Sequence, residues 1–365
     1  MRKLTIGNLV ANYPIIQGGM GVGVSLSGLA AAVANEGGVG VISAAGLGLY
    51  YMQEANNYID ACIYGLKQEI QKAKDKTKGI VGVNIMVALN NFSDMVKTAV
   101  KEKADVIFAG AGMPLDLPKY LDEDSQTKLV PIVSSARATK ILCEKWTSNY
   151  NYVPDAIVVE GPMAGGHLGY KIEDLESKEY QLEINLPKII QEASRFEQKF
   201  GKKIPVIAAG GIYTGEDIYK IMQLGASGVQ MGTRFVTTYE CDASDEFKQS
   251  YINASKEDIV IIKSPVGMPG RAINNAFLQS VLRGETHPKN CPFHCIKTCN
   301  IETSPYCIMR ALLNAYKGNV DKGFCFAGVN AYRATEIISV HDMFLKLISE
   351  YDYYDSQTEN RLNWN

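Results

Sequence analysis

The chain has 365 residues, 46% of them hydrophobic and 21% charged, which excludes a disordered polymer and fits a folded globular protein. Thirty-seven Lys and Arg stand against 39 Asp and Glu, a formal net charge of −2, so nothing in the bulk charge draws the chain to nucleic acid or an anionic membrane. The 33 glycines exceed the usual share of about 7%; in an ordered chain such an excess points to turns or to backbone brought close to a ligand.

Short, mostly apolar, β-branched runs recur along the first two thirds of the chain. In order they are Pro14 to Gln17, Val39 to Ser43, Ile80 to Ile85, Asp105 to Ala109, Val130 to Ser134, Ala156 to Glu160, Ile204 to Ala209 and Gly228 to Gly232. Runs that are apolar throughout, rather than alternating, are the pattern of parallel strands buried on both faces. Helix-compatible stretches lie between them: Ser27 to Glu36, Phe92 to Lys103, Ala138 to Trp146, Pro187 to Phe200 and Gly215 to Leu224. Eight such units within residues 14 to 235 predict a (β/α)8 TIM barrel. The rival, a doubly wound open sheet, needs fewer strands and a glycine fingerprint after the first. Here the glycine-rich ends are spread over the first, sixth, seventh and eighth strands, as a mouth assembled from several loops requires.

Residues 1–235 are thus expected to form the barrel, and 236–365 a mainly helical C-terminal extension packed on it, with helical patterns at Pro305 to Tyr316 and His341 to Tyr351. The charged insertion at 172–184 is open to two readings, a lid over the site or a solvated surface segment. No stretch approaches the roughly 18 apolar residues of a membrane span. The first 24 residues carry two positive charges and no apolar core of leader length, so a cytoplasmic location is expected.

The seventh strand ends in Gly210-Gly211 and the eighth in Gly232-Thr233. Backbone N–H groups at such ends, aimed by a helix N-terminus, suit an anion, and barrels commonly hold a ligand phosphate between these two loops. The first strand runs into Gly18-Gly19-Met20, backbone able to lie against a flat ring, and Asn84 ends the third. After the sixth strand comes Glu160-Gly161-Pro162-Met163-Ala164-Gly165-Gly166-His167. It places one of four histidines in a glycine-rich loop without apolar neighbours, where an imidazole titrating near neutral pH is the default general acid or base. His287, His294 and His341 lie in the tail and are given no chemistry.

Together these motifs resemble the nitronate monooxygenase (2-nitropropane dioxygenase) family, whose superfamily includes the flavin-dependent enoyl-acyl-carrier-protein reductase. The similarity runs through PIIQGGMG, GVN at the third strand, Ser134-Ser135, AGGHLG, AAGGI, MGTRF and Met268-Pro269-Gly270-Arg271, over residues 4 to 280. It implies FMN, with the phosphate on Gly210, Gly211, Gly232 and Thr233. Gly18, Gly19 and Met20 would lie by the ring system, and Asn84, Ser135, Glu160, Gly165 and Gly166 would be further contacts. His167 matches the family's active-site histidine. The implied reaction is oxidation of alkyl nitronates by molecular oxygen on a small-molecule substrate. The runner-up is an enoyl-thioester reductase using NAD(P)H, and a flavin-binding sensor or scaffold is a third reading. A homo-oligomer is compatible with all three.

One departure from the family is Pro162-Met163, where a glutamate is common. The other is Cys291, Cys295, Cys299 and Cys307, bunched while Cys62, Cys143, Cys241 and Cys325 are scattered. If 291–299 were helical, three thiols would share a face. A metal or iron–sulfur cluster and plain buried thiols are the two readings of the group.

Overall fold

The structure is a computed structural model and describes residues 1–362, with side chains through 357. Eight parallel strands close into a barrel: β1 (Ile15–Gln17), β2 (Val39–Ser43), β3 (Ile80–Met86), β4 (Val106–Gly110), β5 (Lys128–Val133), β6 (Ile157–Glu160), β7 (Val206–Ala209) and β8 (Gly228–Met231). They follow one another around the barrel in chain order, with β8 pairing back to β1. Their inward apolar side chains, including Ile16, Val41, Val106, Phe108, Val130, Val158 and Ile207, fill the interior. A hairpin, Leu4–Ile6 with Leu9–Ala11, adds Leu4, Ile6 and Ala11 to the same cluster. The interior is therefore packed, and ligand space is left only at the strand ends.

The connecting helices are α1 (Ser27–Asn35), α2 (Tyr58–Lys76), α3 (Phe92–Lys101), α4 (Ala136–Tyr150), α5 (Leu182–Phe200) and α6 (Gly215–Gln223). Nineteen-residue α2 starts at an Asn57 cap, whose side chain accepts the Asp60 N–H. Between β4 and β5 a single 3-10 turn, Leu117–Tyr120, replaces a helix.

After β8 only a four-residue helix follows, α7 (Thr233–Val236). The tail then carries α8 (Asp245–Ile252), a hairpin of β9 (Ile259–Lys263) and β10 (Pro269–Ile273), α9 (Ala276–Leu282), α10 (Ile308–Tyr316) and α11 (Val340–Leu362). α11 packs against α6 and α1, and its Met343, Phe344 and Leu347 join Val229 and Phe235 in one core. The gap in the helical ring beside β8 is thus closed by the last helix of the chain. A division at residue 235 separates β8 from the helix that covers it. The reason is physical: α7 is too short to bury the outer face of β8, and the tail must return to do so.

Two carboxylates lock the tail to the ring. Asp242 accepts the N–H groups of Leu26, Gly28 and Leu29 at the start of α1, at 2.7, 3.2 and 3.1 Å. Glu350 of α11 accepts the Gly215 N–H of α6 at 2.7 Å. Both satisfy donors that a helix N-terminus leaves unpaired.

Candidate functional site

The carboxyl ends of the strands open into a cavity of about 920 Å³. It is lined by Gly18, Gly19 and Met20 after β1, Asn84 on β3, and Gln230, Gly232 and Thr233 at the end of β8. Glu160, Gly165, Gly166 and His167 after β6, with Gly210 and Gly211 after β7, which neighbours β8, line it as well. Positive φ values of 98° and 80° at Gly210 and Gly211 turn the chain in a way a side chain would strain, so the glycines are required there.

The helix expected to aim charge at this turn is already satisfied by the protein itself. Thr214 and Asp217 form a capping box on α6, Asp217 accepts the Tyr213 and Thr214 N–H groups at 2.9 and 3.0 Å, and Glu350 takes that of Gly215. An anion at this rim would rest on the Gly210–Gly211 and Gly232–Thr233 backbone instead. The Thr233 hydroxyl accepts the Gly328 N–H at 2.9 Å and keeps its own proton to donate.

Ser135 does not reach the cavity. Its hydroxyl accepts the Ala138 N–H at 3.2 Å and caps α4, the usual employment of a serine at that position. Its neighbour Ser134 lines the cavity in its place and donates to the Gly169 carbonyl at 3.2 Å.

His167 is not surrounded by polar loop. Gly166 and His167 pair as an edge with Arg271 and Gly270 of β10, and the imidazole stands edge-on to Phe326, centroids 4.9 Å apart. Its Nε2 lies 2.7 Å from Ser264 Oγ. Burial lowers its pKa from the ordinary 6.5 to about 4, so the ring is neutral at physiological pH. Burial acts oppositely on Glu160, whose carboxyl is pushed up to about 7. Arg271 holds the loop between them, its guanidinium donating to the carbonyls of Pro162 at 2.8 Å and Ala164 at 2.5 Å. Gly165 packs so closely on the tail that a Cβ would stand 2.4 Å from the Gly328 nitrogen.

Gln230 carries no signal in the sequence beyond a polar residue within an apolar strand. Its Oε1 is buried without a hydrogen-bond partner although the residue lines the cavity. Such an orphan is costly unless a ligand supplies a donor. The insertion at 172–184 forms two 3-10 turns and the start of α5, lines no part of the cavity itself, and packs Leu175 and Tyr180 against the lining residues Leu168 and Tyr170.

All eight cysteines are free thiols. Residues 291–299 are irregular rather than helical, because the segment runs across the loop after β3, with Cys295 and Ala88 carbonyls accepting the Asn90 and Lys297 N–H groups. Among the described residues no three His, Cys, Asp or Glu side chains are arranged to hold a metal ion. The segment's contribution to the cavity is Ile296, Lys297 and Thr298.

A parallel barrel with its ligand cavity at the carboxyl strand ends, a glycine rim and one imidazole facing it defines an enzyme of the barrel class. The nitronate monooxygenase family model matches residues 2–350, and the chain belongs to that family. A probable nitronate monooxygenase of Staphylococcus aureus is 29% identical over 313 residues, 76% of this chain and 79% of that one. Another, of Staphylococcus haemolyticus, is 28% identical over 315 residues, 76% and 80% of the two chains. Among solved structures, FabK from Thermotoga maritima superposes with a TM-score of 0.72 at 27% identity, over 96% of each chain. Nitroalkane oxidase from Streptomyces ansochromogenes shares the fold, at a TM-score of 0.72 and 21% identity over 95% and 98%. The protein is a flavin-dependent oxidoreductase. No described helix is long and apolar enough to cross a membrane.

Proposed function

We propose that the protein binds FMN and oxidises alkyl nitronates with molecular oxygen. One observation carries the reading: the glycine-lined cavity presents a single imidazole, His167, which burial keeps neutral. The residues fit the cofactor. The Gly210–Gly211 and Gly232–Thr233 backbone and the Thr233 hydroxyl would take its phosphate, and Gly18, Gly19 and Met20 would lie against its ring. Asn84, Glu160 and the orphaned Gln230 amide would meet polar edges of the group. When bound, the flavin accepts the substrate's electrons and passes them to oxygen.

The chain's own part is to bind and orient. A nitronate is a compact anion, and a neutral imidazole can donate a hydrogen bond to its oxygen without titrating away. Phe326 and Met163 border the same space with apolar surface. The enoyl-thioester reductase reading has its own support in the apolar flank of Met86, Val87, Leu142, Ile308 and Met309, which has room for an extended chain. Two measurements separate them. Oxygen uptake with an alkyl nitronate, and no fast anaerobic bleaching of the flavin by NADH or NADPH, is the expected result. Fast bleaching by a nicotinamide without nitronate turnover would replace this reading with the reductase.

A further inference from the structure

We propose that Ser264 is a positioning residue that fixes His167 as the tautomer protonated on Nδ1, making the imidazole a hydrogen-bond donor toward substrate rather than a base. The inference rests on the nitronate reading for its catalytic consequence, and on geometry alone for the tautomer.

Ser264 lies at the turn that joins β9 to β10, in the tail and almost a hundred residues from His167 in sequence. It is nearly buried, 8% exposed. Its hydroxyl accepts the Val266 N–H at 3.2 Å and faces His167 Nε2 at 2.7 Å. A hydroxyl has one proton to give. Among the described residues no other acceptor stands within reach of that proton, so donation to Nε2 satisfies both groups at once. The reverse arrangement, Nε2–H donating to Ser264, strands the serine proton in a nearly buried site, which costs the desolvation of an unpaired donor. With Nε2 accepting, the ring proton sits on Nδ1. That nitrogen has no partner among the described residues, and the ring lines the cavity.

The arrangement is braced from both sides. β10 pairs with Gly166–His167 through Gly270 and Arg271, fixing the backbone, and Phe326 fixes the ring plane. Ser264 then sets the one freedom left, which nitrogen carries the proton. A substrate already ionised, such as a nitronate, needs a donor and no base. The site is built for the anion rather than for deprotonating its neutral parent.

The test is nitrogen NMR of the flavin-loaded protein carrying isotope-labelled histidine. With only four histidines, His167→Gln identifies the signals by their loss. The expected result at neutral pH is a protonated Nδ1 and an unprotonated Nε2 in wild type and in Ser264→Thr. Ser264→Ala is expected to show a mixture of tautomers and a roughly tenfold lower kcat for nitronate, with flavin content unchanged. A wild-type proton on Nε2 overturns the proposal, whether or not any variant folds. So does Ser264→Ala with the wild-type tautomer and wild-type kcat. Correct tautomers in a protein that does not turn over nitronate would sink the nitronate reading and leave the role of Ser264 standing.

Discussion

The two glycine rims of the cavity look alike in sequence and are built differently. The rim of Gly210, Gly211, Gly232 and Thr233 takes its backbone shape from strand ends and from the positive φ of Gly210 and Gly211. The tail touches it at two points, with the Gly328 N–H on the Thr233 hydroxyl and the Asn330 amide on the Gly211 carbonyl. The rim of Gly165, Gly166 and His167 belongs as much to the tail. Its backbone pairs with β10, the Pro162 and Ala164 carbonyls leading into it are held by Arg271, and its imidazole by Ser264 and Phe326. The tail braces both rims, but at the first it only steadies backbone shaped by the barrel, whereas at the second it also fixes an imidazole.

If that division is right, the two rims can be damaged separately. The largest effect is expected from Arg271→Ala, which removes two charge-assisted hydrogen bonds to the loop. A loss of roughly a hundredfold in kcat/KM for nitronate, with flavin content within twofold of wild type, is expected by steady-state kinetics and absorbance. Thr233→Val is the mirror experiment. It deletes the hydroxyl that would face the phosphate and the acceptor of the Gly328 N–H, and flavin affinity is expected to fall roughly tenfold by titration. The His167 tautomer should not change.

Two smaller effects follow from titration. The folded-state pKa of His167 lies below its ordinary value, so its contribution to stability is present above pH 6.5 and is lost as pH falls through about 4. Denaturant unfolding should show that slope in wild type and a shallower one in His167→Gln. Glu160 has the opposite sign. Its folded pKa is raised, so its contribution is complete below its ordinary 4.5 and is lost as pH rises through about 7. Flavin-free Glu160→Gln is therefore expected to melt a few degrees above wild type at pH 8 and level with it at pH 4. Equal melting at both values would contradict the burial of that carboxyl.

The barrel was legible because each strand is buried on both faces and so writes a continuous apolar run between glycine turns. The eight strands fall where those runs fall, to within a residue or two. α2 and the β9–β10 hairpin lay outside that rhythm, although Ile259-Val260-Ile261-Ile262 is a β-branched run of the same kind. What no local pattern could supply was partnership. His167 lies between Gly166 and Leu168 in sequence and beside Phe326 and Ser264 in space, so its neutral state was invisible until the tail was folded back. Ser135 illustrates the converse: two adjacent serines end β5, and helix capping takes one and leaves Ser134 to the cavity. The bunched cysteines are spaced as if for a helix and lie in an irregular crossing segment, which only its contacts with the loop after β3 reveal.

The most direct test of the account is an anaerobic stopped-flow mix of nitronate with the flavin-loaded protein, run side by side on wild type and Arg271→Ala. Reduction of the flavin by substrate in wild type, and its slowing by roughly a hundredfold in the variant at equal flavin content, is the predicted result. Equal rates in both, or no reduction of the wild-type flavin, would contradict it.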